Sequence, residues 1–375
     1  MKKVALLLLL LSAHYAFAEP VLSRERIDGW LSALSSNNDI DDGKMDWGVL
    51  PGPFVTPELG VGLGIAAVGL YRPDPEDKQS QDSSMTLSGF ASSTGAFGFN
   101  FENFNFLKND QWRFFVEAKA SNMPTYYWGI GDRNGRQSSN KEEYTAHEFT
   151  FKPTVYRRIT QSTYLGLGMD VSTIKANDIE EGADSLFELQ QEGTSVLSSG
   201  LGMHFLYDSR DFVPNPSYGH TVQLGMTFYA PEFGSDQRFQ IFTGQYATYY
   251  AFNEMSTIAF DIHTQISGGD VPWNKLALLG DSKRMRGYYE GRYRDRNVLS
   301  TQIEYRQKFD WRHGAVAWVG SGTMSDQERD LGKGRWLQSV GIGYRFEFKP
   351  KMNIRLDLGF GQNSTGFYFQ VGEAF

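Results

Sequence analysis

Gly280-Asp281-Ser282-Lys283-Arg284-Met285-Arg286-Gly287-Tyr288-Tyr289 sits inside a run, 268–297, that shows little apolar periodicity. Connections of that length without structure of their own are uncommon in compact domains and usually have a job. The segment that follows is regular. Leu299, Thr301, Ile303, Tyr305 and Phe309 occupy one set of alternate positions, and Ser300, Gln302, Glu304, Arg306 and Lys308 the other. Strand side chains point alternately to two faces. One face here is bulky and the other polar and charged, so the two faces meet different solvents.

The ends and the composition agree with a sheet that separates oil from water. Lys2 and Lys3 precede an apolar run from Val4 to Leu11, and Ala16-Phe17-Ala18 offers small residues for cleavage, so 1–18 reads as a bacterial export signal. No other segment approaches the roughly 18 apolar residues of a spanning helix. The content of 28 Phe, 19 Tyr, 8 Trp and 40 Gly in 375 residues suits strands better than helices. A mean hydropathy of −0.42 also suits a barrel, in which only alternate residues face lipid. With no cysteine, disulfides and thiolate metal sites are excluded. A net charge of −8 without a basic tract argues against a nucleic-acid partner.

Read in order, residues 19–46 form a periplasmic segment with a short amphipathic helix expected around 24–34, where Ile27, Trp30, Leu31 and Leu34 recur at near-helical spacing. Asn38 to Gly43 fails as a calcium loop because Ile40 occupies a ligand place. Gly60, Gly62 and Gly64 lack the context of a dinucleotide fingerprint and read as bends in a curved strand. From residue 47 to 375 the chain reads as hairpins. Phe97, Phe99 and Phe101 share a face, whereas Phe104 and Phe106 fall on the other, which reads as a bulge near Glu102 or as the exit from the bilayer. Charges on the strands are expected inward: Asp170, Asp261, Glu304, Arg306, Arg345, Glu347, Arg355 and Asp357. The count is about sixteen strands, even as single-chain barrels require. The expected fold is all-β, a transmembrane antiparallel barrel with its long loops on one side.

Arg284-Met285-Arg286-Gly287-Tyr288, the Arg294-Asp295-Arg296-Asn297 that follows and the Ile303-Glu304-Tyr305-Arg306 strand resemble the bacterial surface antigen barrel. This is the membrane domain shared by the outer-membrane assembly factors BamA and TamA and by two-partner secretion transporters. Met285 is a mild departure from the small apolar residue usual there. Pro57-Glu58-Leu59-Gly60 resembles the family's first turn, with Leu59 where Thr is usual, and Tyr126-Tyr127-Trp128-Gly129-Ile130-Gly131 a motif of members without an N-terminal domain. Asp208-Ser209-Arg210-Asp211 resembles a second family motif, Ser209 replacing Thr. The resemblance implies that the 268–297 loop folds into the lumen, with Arg286 on an acidic wall residue. Glu304 is the first candidate, with Asp261 and Asp357 beside it. It also implies that Phe369, Val371 and Phe375, alternating on one expected outer face with Glu373 at headgroup level, are shown to the outer-membrane assembly machinery, of which this chain would be a client. Residues 19–46 are too short for the family's POTRA modules, which puts client insertion in doubt and leaves room for a separate periplasmic subunit.

The function expected from the resemblance is a conduit or insertion factor for protein or lipid in the Gram-negative outer membrane. The barrel would be monomeric, surrounded by outer-membrane lipid and lipopolysaccharide, and without cofactor or metal. Two readings stay open beside it: a passive diffusion pore or structural barrel, in one form plugged by the 24–34 helix, and an outer-membrane lipase or protease. His147, His204 and His263 lie near serines or carboxylates, but no nucleophile motif accompanies them, so catalysis is not expected.

Overall fold

The computed structural model describes residues 24–36, 40, 43–56, 59–179, 193–309, 311–349 and 351–375. The export signal, Pro57-Glu58, much of the Asn38–Gly43 stretch and most of the acidic loop after Ile174 lie outside the described residues. Among the described residues the first element is a helix, α1 (Arg24–Ala33). The sheet begins with β1 (Asp46–Thr56), β2 (Gly60–Tyr71), β3 (Ser83–Ser92), β4 (Phe97–Leu107), β5 (Trp112–Tyr127) and β6 (Glu142–Thr160). It continues through β7 (Thr163–Asn177), β8 (Ser195–Asp208), β9 (Gly219–Tyr229), β10 (Phe239–Asn253) and β11 (Ser256–Gly269). Two short strands, β12 (Ala277–Leu278) and β13 (Arg294–Asp295), pair only with each other. The sheet resumes with β14 (Asn297–Lys308), β15 (His313–Ser325), β16 (Leu337–Lys349), β17 (Met352–Gly361) and β18 (Ser364–Val371). Sixteen strands form one sheet in which every sequential neighbour is antiparallel. β12 and β13 stand apart within the connection between β11 and β14.

Alternation explains the architecture. Leu63 and Leu167 are each 70% exposed, and Ile65, Met203, Val319 and Ile342 also face out. An apolar surface this continuous has no place in water and forms the lipid belt of a barrel. All eight charged residues of the inward set lie on the opposite face, with Glu304, Asp261 and Asp357 fully buried. The connections after β5, β7, β11 and β15 are long, whereas those after β6, β10, β14 and β16 are tight. That asymmetry sets the outer and periplasmic sides.

Two expectations need correction. No bulge occurs near Glu102: β4 keeps one register against β3 and β5 throughout. Phe104 and Phe106 face in because the periplasmic end of the lumen has its own apolar cluster, where Phe115 meets Phe104 at 5.0 Å, Phe106 at 5.8 Å and Tyr156 at 5.5 Å. The outer face at that level carries Asn103 and Asn105, joined to Tyr71, where the strand leaves hydrocarbon. The second correction concerns the chain end. β18 stops at Val371, and Gly372 at φ +84° turns the chain inward. Glu373 then binds Arg345 at 2.8 Å, and Phe375 lies 6.4 Å from the Tyr249 ring with Arg306 over it at 5.4 Å. Burial between arginines removes Glu373 from the headgroup level and Phe375 from the lipid face.

The sheet does not close edge to edge. β18 pairs with β17 and β1 with β2, but among the described residues no backbone ladder joins β1 to β18. Instead the inner face of the first hairpin covers the outer face of the last strands. Leu50, Val68 and Leu70 cluster with Phe348 and Met352, and Ile354 and Val371 pack against them. A Cβ at Gly52 would lie 2.9 Å from the Phe369 ring. At the periplasmic rim Lys349 binds Asp46 at 2.6 Å and the Ser36 carbonyl at 2.9 Å. The helix α1 lies at that rim rather than in the lumen, with Asp28 3.3 Å from Arg312 and Arg24 over Trp311 at 5.6 Å.

Candidate functional site

The 270–296 connection runs inside the barrel, and each part of it is seated by chemistry the sequence carries. At its base Trp273, 1% exposed, fills a cluster of Tyr127, Tyr144, Ile174 and Val196. Its indole N–H donates to the Gly193 carbonyl at 2.8 Å. Lys275 reaches Asp170 on β7 at 2.9 Å, and Tyr229 donates to the same carboxylate at 2.8 Å. β12 and β13 then close the loop on itself through Ala277–Asp295 and Leu278–Arg294. The connection after β5 holds this stem from outside. Trp128 meets Tyr289 at 5.1 Å between ring centroids, and Arg292 donates to the Gly135 carbonyl at 2.9 Å.

The tip carries the arginines. Arg284 donates to Asp261 at 2.8 and 3.2 Å. Arg286 turns the other way. Its Nη1 donates to Asp357 on β17 and its Nη2 to Glu304 on β14, each at 2.5 Å, and all three side chains are fully buried. The guanidinium lies 3.6 Å from the centroid of the Trp318 ring on β15, a stacking that planar guanidinium favours. One side chain thus ties β14 to β17 across β15 and β16. Of the wall acids expected beside Arg286, Glu304 and Asp357 receive it, and Asp261 takes Arg284. Arg306 also binds Glu304 at 2.9 Å, while Arg345 and Arg355 bind Asp357 at 2.6 and 2.9 Å. Arg286, Arg306, Arg345 and Arg355 therefore surround Glu304, Asp357 and Glu373, so that each of these carboxylates is paired in an interior where unpaired charge is costly.

Sequence reasoning missed the glycine seat beneath this tip. Gly287 has φ +111°, and a Cβ there would strike the Phe360 backbone at 2.6 Å. A Cβ at Gly359 would lie 2.7 Å from the Arg286 carbonyl, one at Gly361 2.7 Å from the Tyr288 ring, and one at Gly341 2.1 Å from the Trp318 ring. Loop backbone therefore rests directly on strand backbone. The Gly287 N–H donates to the Tyr368 hydroxyl at 2.9 Å, and the Tyr288 hydroxyl donates to the Gln338 carbonyl at 2.6 Å. The available signal was glycine at alternate inward positions, 341 and 343 on β16 and 359 and 361 on β17, where a close backbone approach is the usual reason. Gly359→Val is expected to push the tip off its seat, at a cost of about 1–3 kcal/mol for overpacking. Trypsin digestion checks it: the Arg286–Gly287 bond, protected in the parent, should become cleavable.

The stem of the loop also holds a carboxyl in the wrong solvent. Burial pushes Asp295 up to about 6; the Arg296 N–H pulls it down, while Asp326 and Asp132 add to the rise. Below the unfolded value of 3.8 this group contributes no difference between folded and unfolded states. Stability is lost as pH rises from there, and the full penalty is present above about 6. Asp295→Asn should therefore raise the thermal midpoint at neutral pH and leave it unchanged in acid below 3.8. A melting series across pH checks the sign.

The second motif lies at the periplasmic floor. Asp208 accepts from Arg113 at 2.7 Å and Arg210 at 2.8 Å, and Asp211 accepts from the Ser217 N–H at 2.8 Å and the Tyr218 N–H at 3.2 Å. A Cβ at Gly219, φ +93°, would fall 2.2 Å from the Ser209 carbonyl, so this turn admits only glycine. The histidines do not converge. His147 points to the outer face, His204 and His263 to the inner face on different strands. Among the described residues no nucleophile completes a triad with any of them.

This loop, its seat and the barrel around it have relatives. Residues 81–375 match the Omp85 superfamily domain. BamA from Haemophilus ducreyi lacking POTRA domains 1-3 superposes with a TM-score of 0.55 at 13% identity, over 87% of this chain and 69% of that one. CdiB from Acinetobacter baumannii gives 0.54 at 10% identity, over 86% and 59%. CdiB from Escherichia coli gives 0.55 at 13%, over 87% and 62%, so this chain spans less than two thirds of either CdiB. No curated protein matches the sequence significantly. At such identities the likeness to these structures is one of fold; the domain match, which covers most of the chain, shows more. The chain belongs to the Omp85 superfamily and is a β-barrel of the bacterial outer membrane.

Proposed function

We propose that this barrel conducts or inserts polypeptide at the outer membrane, and that it does so by parting β1 from β18. The observation that carries the reading is the missing ladder between those two strands. In hydrocarbon an unpaired peptide group costs several kcal/mol, so every other strand of a barrel is paired on both sides. An unjoined pair of edges offers hydrogen-bonding groups to an extended polypeptide, which can add to them as a strand. The seated loop supports the same reading. Its tip grips Asp357, Gly359 and Tyr368, all on the last two strands, so movement of the tip and movement of the edge are mechanically one event.

The test is reconstitution of the full chain in liposomes with a urea-unfolded outer-membrane polypeptide added from outside. Faster folding of the added chain than in empty liposomes, read from its heat-dependent gel mobility, is the expected result. Steady ion conductance without acceleration would instead identify a passive pore and remove the proposal.

A further inference from the structure

The outward face of β5–β7 changes character along one row. Asn122 on β5 stands opposite His147 on β6, and His147 opposite Lys175 on β7. All three share the lipid-facing side with Phe114, Phe149, Val155, Leu165 and Leu167. His147 and Lys175 are both exposed. At the other end of the same outward face on β6 lies Arg157, over the Trp112 ring at 4.7 Å. Between His147 and Arg157 the outward positions are Phe149, Phe151, Pro153 and Val155, with no charge.

The spacing fixes the level of these groups. Ten residues of strand rise about 33 Å, and a tilt of about 40° projects that to roughly 25 Å along the membrane normal, the height of a barrel's apolar belt. Arg157 with Trp112 therefore marks the periplasmic headgroup level, and the Asn122–His147–Lys175 row marks the outer one. A cavity of ≈ 540 Å³ opens at this row, lined by Phe97, Phe99, Phe149, Thr173, His147 and Lys175 among others. Phe97 stands level with the row, opposite Asn122, and Phe99 and Phe149 lie one step toward the belt from the cations. Among the described residues, the acids nearest in sequence are otherwise placed: Glu148, which also borders the cavity, turns its side chain inward to Lys119 at 2.7 Å, and Glu143 lies four residues further out.

We propose that this row is a binding site for the phosphorylated headgroup of an outer-leaflet glycolipid. Lys175 supplies a full positive charge, and His147 and Asn122 supply N–H donors at the depth where a lipid phosphate sits. The aromatic cavity beneath takes the start of an acyl chain. Phosphate attracts such donors strongly because each hydrogen bond is charge-assisted. The site commits to a lipid rather than a free ion, because the cations stand directly above an apolar cavity that an inorganic anion would not fill.

The experiment uses the full chain in phosphatidylcholine vesicles, plain or doped with bis-phosphorylated lipid A, and reads the midpoint of thermal unfolding. Lipid A retained per barrel after detergent extraction is a second readout. Lipid A should raise the midpoint. The His147→Ala/Lys175→Ala pair should lose most of that rise and most of the retained lipid, and Lys175→Arg should keep both. Lys308→Ala, at the periplasmic end, serves as the control that retains the effect. Lys175→Glu, a single exposed change, repeats the test should the double variant fold poorly. An equal rise with dephosphorylated lipid A, or an undiminished rise in the Lys175 variants, would overturn the proposal. A rise with inorganic phosphate alone would overturn the assignment to a lipid.

Discussion

Arg286→Ala is expected to leave the barrel folded, to lower its stability by about 3 kcal/mol, and to abolish activity. The figure follows from the partners that remain. Removing one member of a buried ion pair usually costs 3–5 kcal/mol, because the other is left as a bare charge. Here Glu304 keeps Arg306, and Asp357 keeps Arg345 and Arg355. Neither acid is stranded, so the low end of the range applies. The functional loss is larger because Arg286 alone joins the loop tip to both β14 and β17. Without it the tip keeps Arg284 on Asp261 of β11, but what then holds it to β17 and β18 is hydrogen bonding alone, from Gly287 to Tyr368 and from Arg355 to the Ser282 carbonyl, and a neutral bond of this kind is worth about 1 kcal/mol. Arg286→Lys should fail nearly as completely. A single ammonium cannot reach two carboxylates on separate strands while its body lies flat on the Trp318 ring. Thermal melting and the folding-acceleration assay, run on both variants, check the two effects. Full activity in Arg286→Ala would show that the tip has no part in function.

How much of this was legible in the sequence depends on the kind of contact. The alternation from Leu299 to Phe309 states which side chains meet lipid, because a strand has only two faces and a charge facing the hydrocarbon midplane is costly. Every strand charge singled out for the lumen faces it. The loop tip is harder. Nothing periodic sets the height at which a loop crosses a wall, so Glu304 led the candidates only because its strand follows the loop, with Asp261 and Asp357 beside it. The two-residue offset between Arg284 and Arg286 then divided them, Asp261 to the first and the other two to the second. The glycines of β16 and β17 were legible in principle, since their alternation names the inner face, but the object resting on them was not. The chain end misled for a local reason. Period two would carry Phe375 outward with Phe369, yet Gly372 admits φ +84° and the pocket of Arg306 and Tyr249 takes the ring. Overlap of the first and last strands left no mark at all, because it joins residues some three hundred positions apart that no motif connects.

That overlap leads to the second large effect: a covalent staple from β1 to β18 should stop function entirely and reversibly. Gly52→Cys and Phe369→Cys suit each other, since the ring removed at 369 is the group that a Cβ at 52 would strike. The chain has no native cysteine, so a short cleavable dithiol-reactive linker can join only these two. The energetics say why this is the place to hold. Parting two laddered strands such as β5 and β6, paired over sixteen positions, breaks a hydrogen bond at nearly every residue. Parting β1 from β18 breaks none of that kind. Nor does apolar packing at the seam resist strongly, because lipid tails are as apolar as the Leu50 and Phe369 side chains that would meet them. What remains is van der Waals fit and the Lys349–Asp46 pair at the rim. The seam is thus the cheapest line along which this sheet can open, and a staple across it removes that option without touching the lumen. Folding acceleration should vanish on linking and return when the linker is cleaved. A control staple between Leu201→Cys and Phe228→Cys, opposite one another on laddered β8 and β9, should change nothing. Undiminished activity in the linked seam variant would place the route of the polypeptide through the lumen instead.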